Sequence, residues 1–161
     1  MLETNRCKFL KIQKTDYEEV KTLYIDERVR KFLGGVIDEN TYRTKFAGMC
    51  DKINKDLFWV IRRKEDNQFI GVISLDVHHD GINTEISYQL LPKWWGQGYG
   101  VEVVQHIISY GFKELGLRTI VAETQSANEA SCKLLASVGM KLDRAVKRFG
   151  AEQSIFSIRN T

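Results

Sequence analysis

The sequence predicts a mixed α/β fold, a single central sheet of about seven strands with helices on both faces. Three observations predict it. Two apolar runs, residues 58–62 and 69–76, flank the turn Glu65-Asp66-Asn67 and read as a β-hairpin. Between residues 82 and 123 a strand, a glycine-rich loop, a long amphipathic helix and a second strand follow in order. A crossover of that length joins parallel strands in a right-handed sense. The tail then carries a helix and two more strands, residues 141–146 and 153–158.

The remaining elements follow from local signals. Residues 6–12 alternate loosely and read as the first strand. Thr15-Asp16-Tyr17-Glu18 fits a capping box, Thr15 as N-cap and Glu18 at N3, opening a helix to about Tyr24. Gly34-Gly35 breaks the next element. Asn40 or Thr41 caps a helix expected to reach about Lys55, with Phe46, Met49, Cys50 and Ile53 at helical spacing. His78-His79-Asp80-Gly81 reads as a turn. In strand 82–91, Ile82, Thr84, Ile86, Tyr88 and Leu90 share one face, and Glu85, Ser87, Gln89 and Leu91 the other. The long helix places Val104, Ile107, Ile108, Gly111 and Leu115 in one apolar stripe and is expected to end at Gly116. Residues 118–123 form a strand and 128–138 a helix, with Ala130, Leu134, Leu135 and Val138 inward and Gly139 at C′.

Length and composition fit one domain, residues 1–161, with a substantial core. A net charge of +3 is too small to argue for nucleic acid. No apolar run approaches the roughly 20 residues that span a bilayer, and Thr4, Asn5, Arg6 and Lys8 interrupt any signal-peptide core. Cys7, Cys50 and Cys132 are odd in number and widely spaced, neither a disulfide framework nor a ligand set, so a reducing cytoplasm is expected and no metal. His78 and His79 are adjacent on extended chain and would point apart, which also argues against a metal; His106 is expected on a helix surface.

The most informative stretch is Leu90-Leu91-Pro92-Lys93-Trp94-Trp95-Gly96-Gln97-Gly98-Tyr99-Gly100, which runs into Val101-Glu102 and a helix. The chain's only proline stops the strand, and glycines at 96, 98 and 100 let the backbone approach a ligand and adopt positive φ. N–H groups converging at a helix start cradle a phosphate or pyrophosphate. The spacing is G-x-G-x-G, not the dinucleotide G-x-G-x-x-G, and Val101-Glu102 stands where a P-loop needs Lys-Ser/Thr.

Trp95-x-x-Gly98-x-Gly100 resembles the acetyl-coenzyme A loop of the GNAT acetyltransferases, usually Q/R-x-x-G-x-G/A. Trp95 at the Gln/Arg position resembles the ribosomal-protein-alanine N-acetyltransferase branch, as do three further blocks. These are Leu2-Glu3-Thr4-Asn5-Arg6, residues 26–33 with Asp26, Val29, Phe32 and Leu33, and Asn128-x-x-Ser131-x-x-Leu134-Leu135 followed by Gly139-Met140. The resemblance implies the GNAT fold and acetyl transfer from acetyl-coenzyme A to an amine. It implies that main-chain N–H groups of Gln97, Gly98, Tyr99, Gly100 and Val101 take the pyrophosphate and that main-chain groups around Leu90 and Leu91 pair with pantetheine. Asn128 reads either as a helix N-cap or, by resemblance, as an amide on the pantetheine arm, and both can hold. Leu135 stands where the family often has a tyrosine acid, which leaves Ser131 as substitute acid and Cys132 behind it. The resemblance places an acidic residue at Glu85, the candidate base; its rival Glu102 more simply complements the helix dipole. One of Trp94 and Trp95 packs under the loop, and the other walls the acceptor tunnel. Tyr24, Phe32 and Gly34-Gly35 lie where the family has a mobile acceptor-side segment.

The function expected is an N-acetyltransferase acting on a primary amine, including a protein N-terminal α-amine. A second reading is a small amine: an aminoglycoside, polyamine or amino acid. A third is a non-catalytic acyl-coenzyme A sensor, which the missing tyrosine allows. A dinucleotide-binding module stands behind these. No nucleic acid or membrane partner is expected, and the chain would be a monomer or homodimer.

Overall fold

A computed structural model describes residues 2–51 and 55–161. Strand β1 (Cys7–Lys11) leads through a 3-10 turn (Lys14–Asp16) to helices α1 (Tyr17–Tyr24), α2 (Glu27–Arg30) and α3 (Glu39–Met49). Strands β2 (Leu57–Arg63), β3 (Phe69–Val77) and β4 (Thr84–Leu90) come next. A second 3-10 turn (Pro92–Trp94) precedes α4 (Tyr99–Lys113), β5 (Thr119–Gln125), α5 (Glu129–Ser137), β6 (Lys141–Arg148) and β7 (Ala151–Arg159). The seven strands form one sheet in the order β1-β2-β3-β4-β5-β7-β6. Strands β4 and β5 pair in parallel; β1–β2, β5–β7 and β6–β7 are antiparallel. This is the mixed α/β sheet the sequence predicts.

Two compact units divide the chain, Met1–Ser74 with Tyr88–Gln97, and Leu75–Ser87 with Gly98–Thr161. The first buries an apolar cluster that includes Val20, Leu23, Tyr42, Phe46, Val60 and Val72. Tyr17 and Tyr42 pack ring to ring at 4.9 Å, and the Tyr42 hydroxyl donates to the Tyr17 carbonyl at 2.7 Å. The helix starts differ from expectation. Asp16, not Glu18, reaches back, accepting the Gln13 N–H at 2.8 Å, because the 3-10 turn begins before Thr15. Asp26 caps the short α2, and Asp38 rather than Asn40 or Thr41 caps α3, accepting the Thr41 N–H at 2.7 Å. Helix α3 ends at Met49, and residues 52–54, including Ile53 of the expected stripe, lie outside the described residues. Gly71 is required by close approach, since an added Cβ would stand 2.0 Å from the Gln89 carbonyl oxygen.

In the second unit α4 buries Tyr99, Val103, Val104, Ile107, Ile108 and Gly111. Leu115 is exposed rather than inward, because α4 closes at Lys113 and Leu115 lies past its end. The Leu117 N–H then turns back to the Gly111 carbonyl at 3.0 Å. Helix α5 buries Leu135 and, just past its end, Val138. Ala130 is exposed instead of inward; five residues from Leu135 puts it about 140° around the helix. Gly139 and Met140 close α5, their N–H groups bonding the carbonyls of Ala136 and Leu135 at 3.1 Å each.

Candidate active site

The loop after β4 is held from beneath by tryptophan. Trp94 is buried and its indole N–H donates to the Phe69 carbonyl at 2.9 Å, with the Arg63 guanidinium over its ring at 4.8 Å. Trp94 is therefore the residue that packs under the loop. Trp95 stays half exposed, and its indole N–H donates to the Leu90 carbonyl at 2.9 Å. The Gln97 carbonyl accepts from Arg6 Nη1 at 3.0 Å. In a trans peptide the N–H points opposite the C=O, so this bond aims the Gly98 N–H away from Arg6. Gly98 then takes φ +83° as the N-cap of α4. Glu102 is the residue whose N–H closes the first helical turn, onto the Gly98 carbonyl at 3.1 Å. The N–H groups of Gly100 and Val101, ahead of it, point out of the helix start. A run of main-chain donors on the positive end of a helix dipole suits an anion such as a diphosphate.

The β4 main chain is partly committed. The Leu91 N–H donates to the Ile70 carbonyl at 2.9 Å, the Leu91 carbonyl accepts from Trp94, and the Leu90 carbonyl holds the Trp95 indole. Because Leu91 turns its N–H toward β3, alternation turns the Leu90 N–H the other way. Asn128 acts as the N-cap of α5, its amide oxygen accepting the Ser131 N–H at 3.2 Å. Ser131 is half-buried in the first turn. Burial pushes the Cys132 thiol up, and Glu129 adds to it, which disfavours the thiolate.

The charged face lies in the second unit. The β3–β4 hairpin keeps one register, for the His78 N–H meets the Asn83 carbonyl and the Leu91 N–H meets Ile70. That register sets Asp76 opposite Glu85, two carboxylates on the same face. Glu85 also pairs with Val121 on β5, so Glu123, two residues on, shares that face. The half-buried Glu85 carboxylate accepts the Glu123 N–H. Burial first, and Asp76 second, push Glu85 up to about 7, while His78 pulls it down. His78 is 2% exposed; its Nε2 lies 2.8 Å from Glu123 Oε1 and its Nδ1 3.2 Å from Asp80 Oδ2. Burial lowers its proton affinity, but the bonds to Glu123 and Asp80 and the charge of Glu85 outweigh that and raise it. Arg148 Nε stands 3.1 Å from the other Glu123 oxygen.

Sequence reasoning placed Glu85 but missed His78 and Glu123 as its neighbours. The signal was present in outline: a tight hairpin with a fixed register, and a parallel crossover that brings 123 beside 85. His79 is exposed while His78 is buried, but the two rings do not point apart as expected: they meet edge to face with centroids 5.9 Å apart, because His78 and His79 sit where β3 has given way to the turn. His106 is half-buried rather than on the surface, and burial lowers its proton affinity. Among the described residues no group of three or more His, Cys, Asp or Glu side chains is arranged to hold a metal, and no helix is long and apolar enough to cross a membrane.

A donor-rich helix start follows β4, and the half-buried Glu85 lies on that strand, features that suit a class of enzyme acting on an anionic carrier. Comparison with known proteins makes the class specific. A family model described as an acetyltransferase (GNAT) domain matches residues 6–141. The chain belongs to the GNAT family and is an acetyl-coenzyme A-dependent N-acetyltransferase. It is 27% identical over 155 residues to the uncharacterized N-acetyltransferase YoaA of Bacillus subtilis (strain 168), covering 92% of this chain and 87% of that one. Its fold is similar to spermidine N-acetyltransferase from Vibrio cholerae, solved with CoA and spermine, at TM-score 0.84 and 13% identity, with 97% and 96% of the two chains covered. It is also similar to ribosomal-protein-S5-alanine acetyltransferase from Vibrio fischeri, at TM-score 0.80 and 18% identity, with 98% and 95% covered. The GNAT resemblance is thus borne out, and both acceptor types occur among proteins of this fold.

Proposed function

We propose that this chain acetylates an α-amino group, as on a peptide or protein N-terminus, with Glu85 as the base. The observation that carries the reading is the half-buried Glu85 carboxylate, pushed up to about 7. An α-ammonium group has a pKa of about 7.8 and a lysine-like amine about 10.4, so a base near 7 meets a deficit of about 1 kcal/mol for the first and about 5 kcal/mol for the second. Acetyl-coenzyme A supplies an activated acetyl thioester. The main chain of Gln97, Gly98, Tyr99, Gly100 and Val101 would hold its diphosphate, and the Leu90 N–H, turned away from β3, would pair with pantetheine. Of the pair named from the sequence, Leu91 has the weaker case, since both its main-chain groups already have partners. The amide nitrogen of Asn128 would reach the pantetheine arm while its oxygen caps α5. Ser131 would return a proton to the leaving thiolate. Orientation of thioester and amine would supply much of the acceleration.

A second reading, a small polycationic amine, is favoured by one observation, that Asp76, Glu85 and Glu123 share a face. Thiol release with acetyl-coenzyme A separates the readings. A peptide with a free N-terminal alanine is expected to turn over faster than its N-acetylated lysine-bearing counterpart, spermidine or an aminoglycoside. Turnover of spermidine alone would replace the proposal with the second reading. Release with none of these amines would favour an acyl-coenzyme A sensor.

A further inference from the structure

We propose that His78 is a positioning residue for acetyl transfer: clamped between Glu123 and Asp80, its imidazolium is the counter-charge that keeps Glu85 available as a carboxylate opposite Asp76. The inference rests on the reading of Glu85 as base and deepens it.

The cluster has an order that three separate acidic side chains would not need. Asp76 and Glu85 face each other across the β3–β4 hairpin, an arrangement of like charges that is destabilising unless something offsets it. Glu123 faces the same side from β5 and touches both partners. Its main-chain N–H bonds the Glu85 carboxylate, and its Oε1 stands 2.8 Å from His78 Nε2. On the other ring nitrogen, Asp80 lies at 3.2 Å while also accepting the N–H groups of Ile82 and Asn83, so the turn that carries it is fixed. Nε2 thus faces a carboxylate oxygen, and Nδ1 lies nearer the Asp80 carboxylate than the Asp80 N–H, which stands at 3.4 Å, so the shorter contact on each side suits a donor, the protonated ring. A ring that is 2% exposed is placed there by packing and does not swing out to solvent. The groups facing Glu85 are Asp76 from β3, Glu123 from β5 and His78 from the turn. Those facing His78 are Glu123, Asp80 and Glu85, with the His79 ring at 5.9 Å, and Arg148 of β6 faces Glu123. His78 is the histidine among four carboxylates, and it stands where removing its charge acts on Glu85 while the backbone bond from Glu123 stays.

The test is His78→Gln in the whole protein, since the glutamine amide can still donate to Glu123 but carries no charge. The Glu85 carboxyl is titrated by carbon-13 NMR in wild type and variant, and the pH profile of kcat/KM is measured beside it. The expected result is a Glu85 midpoint raised by about one pH unit, an acid limb of kcat/KM displaced by the same amount, and recovery of the rate above that limb. A purely structural role would lower the rate at every pH alike. Should His78→Gln fail to fold, Asp80→Asn removes one of the ring's two anions and keeps an oxygen for the turn; a smaller upward movement of both midpoints is expected. An unmoved Glu85 midpoint in a folded variant would overturn the proposal. A moved carboxyl midpoint with an unmoved rate profile would overturn the role in acetyl transfer through Glu85 as base, and would leave only the electrostatic coupling.

Discussion

The turn at residues 97–101 and the charged face around Glu85 work by opposite means. The turn offers main-chain amides, and its side chains matter through the conformation they permit: Gly98 at φ +83°, and Arg6 holding the Gln97 carbonyl. The charged face offers side chains from β3, β4, β5 and the turn between β3 and β4. One is broken by changing shape, the other by changing charge at constant shape. On the proposed function, substitutions in the two places are therefore expected to leave different kinetic signatures, affinity for the acyl carrier in the first and pH dependence in the second.

The largest expected effect is on the charged face. Glu85→Gln is nearly isosteric and is expected to lower kcat about 100-fold near pH 7.5, the scale of general base catalysis. The wild-type rate is expected to fall as pH drops through about 7, where Glu85 takes up a proton, and the variant is expected to lack that limb. An acid limb surviving unchanged in the variant would assign the base elsewhere. A smaller effect is expected at the turn. Arg6→Gln loses one exposed hydrogen bond to Gln97, worth about 1 kcal/mol, so KM for acetyl-coenzyme A should rise about fivefold with kcat unchanged. A fall in kcat with unchanged KM would place Arg6 outside the turn's conformational role.

The smallest effect concerns stability. Glu85 titrates at about 7 when folded against an ordinary 4.5, so the folded state favours its proton. Its contribution is fully present below about 4.5 and is lost as pH rises through about 7. Glu85→Gln is therefore expected to melt several degrees higher than wild type at pH 8 and close to wild type at pH 4, a gain in stability at the site of lost activity. Equal differences at both pH values would mean that the carboxylate is not strained when ionised.

These two regions also differ in how far the sequence discloses them. The turn is contiguous, and Pro92, Gly98 and the apolar stripe of α4 mark strand end, N-cap and helix within some 20 residues. The β2–β3 hairpin and the parallel β4–β5 pair followed for the same reason, from alternation and from the length of one crossover, whereas the partners of β1, β6 and β7 carried no such local signal. The charged face joins residues 45 positions apart, His78 and Glu123, and only hairpin register and parallel pairing bring them together. Local signals also misplaced boundaries. Asp38 out-competes Asn40 and Thr41 because it sits nearer the start of α3, Asp16 takes the back-bonding place expected of Glu18 because a 3-10 turn begins at Lys14, and Ala130 follows the helix phase set by Leu135 rather than its own apolar character.

The claim on which the rest depends is that the turn's main chain grips a diphosphate, and it is tested by calorimetric titration of wild type and Gly98→Val with coenzyme A and with pantetheine, which lacks the diphosphate. Wild type is expected to bind coenzyme A far more tightly than pantetheine, and Gly98→Val, which forces a β-branched residue toward φ +83°, is expected to bind coenzyme A only as weakly as pantetheine. Undiminished coenzyme A affinity in a folded Gly98→Val protein would contradict the account.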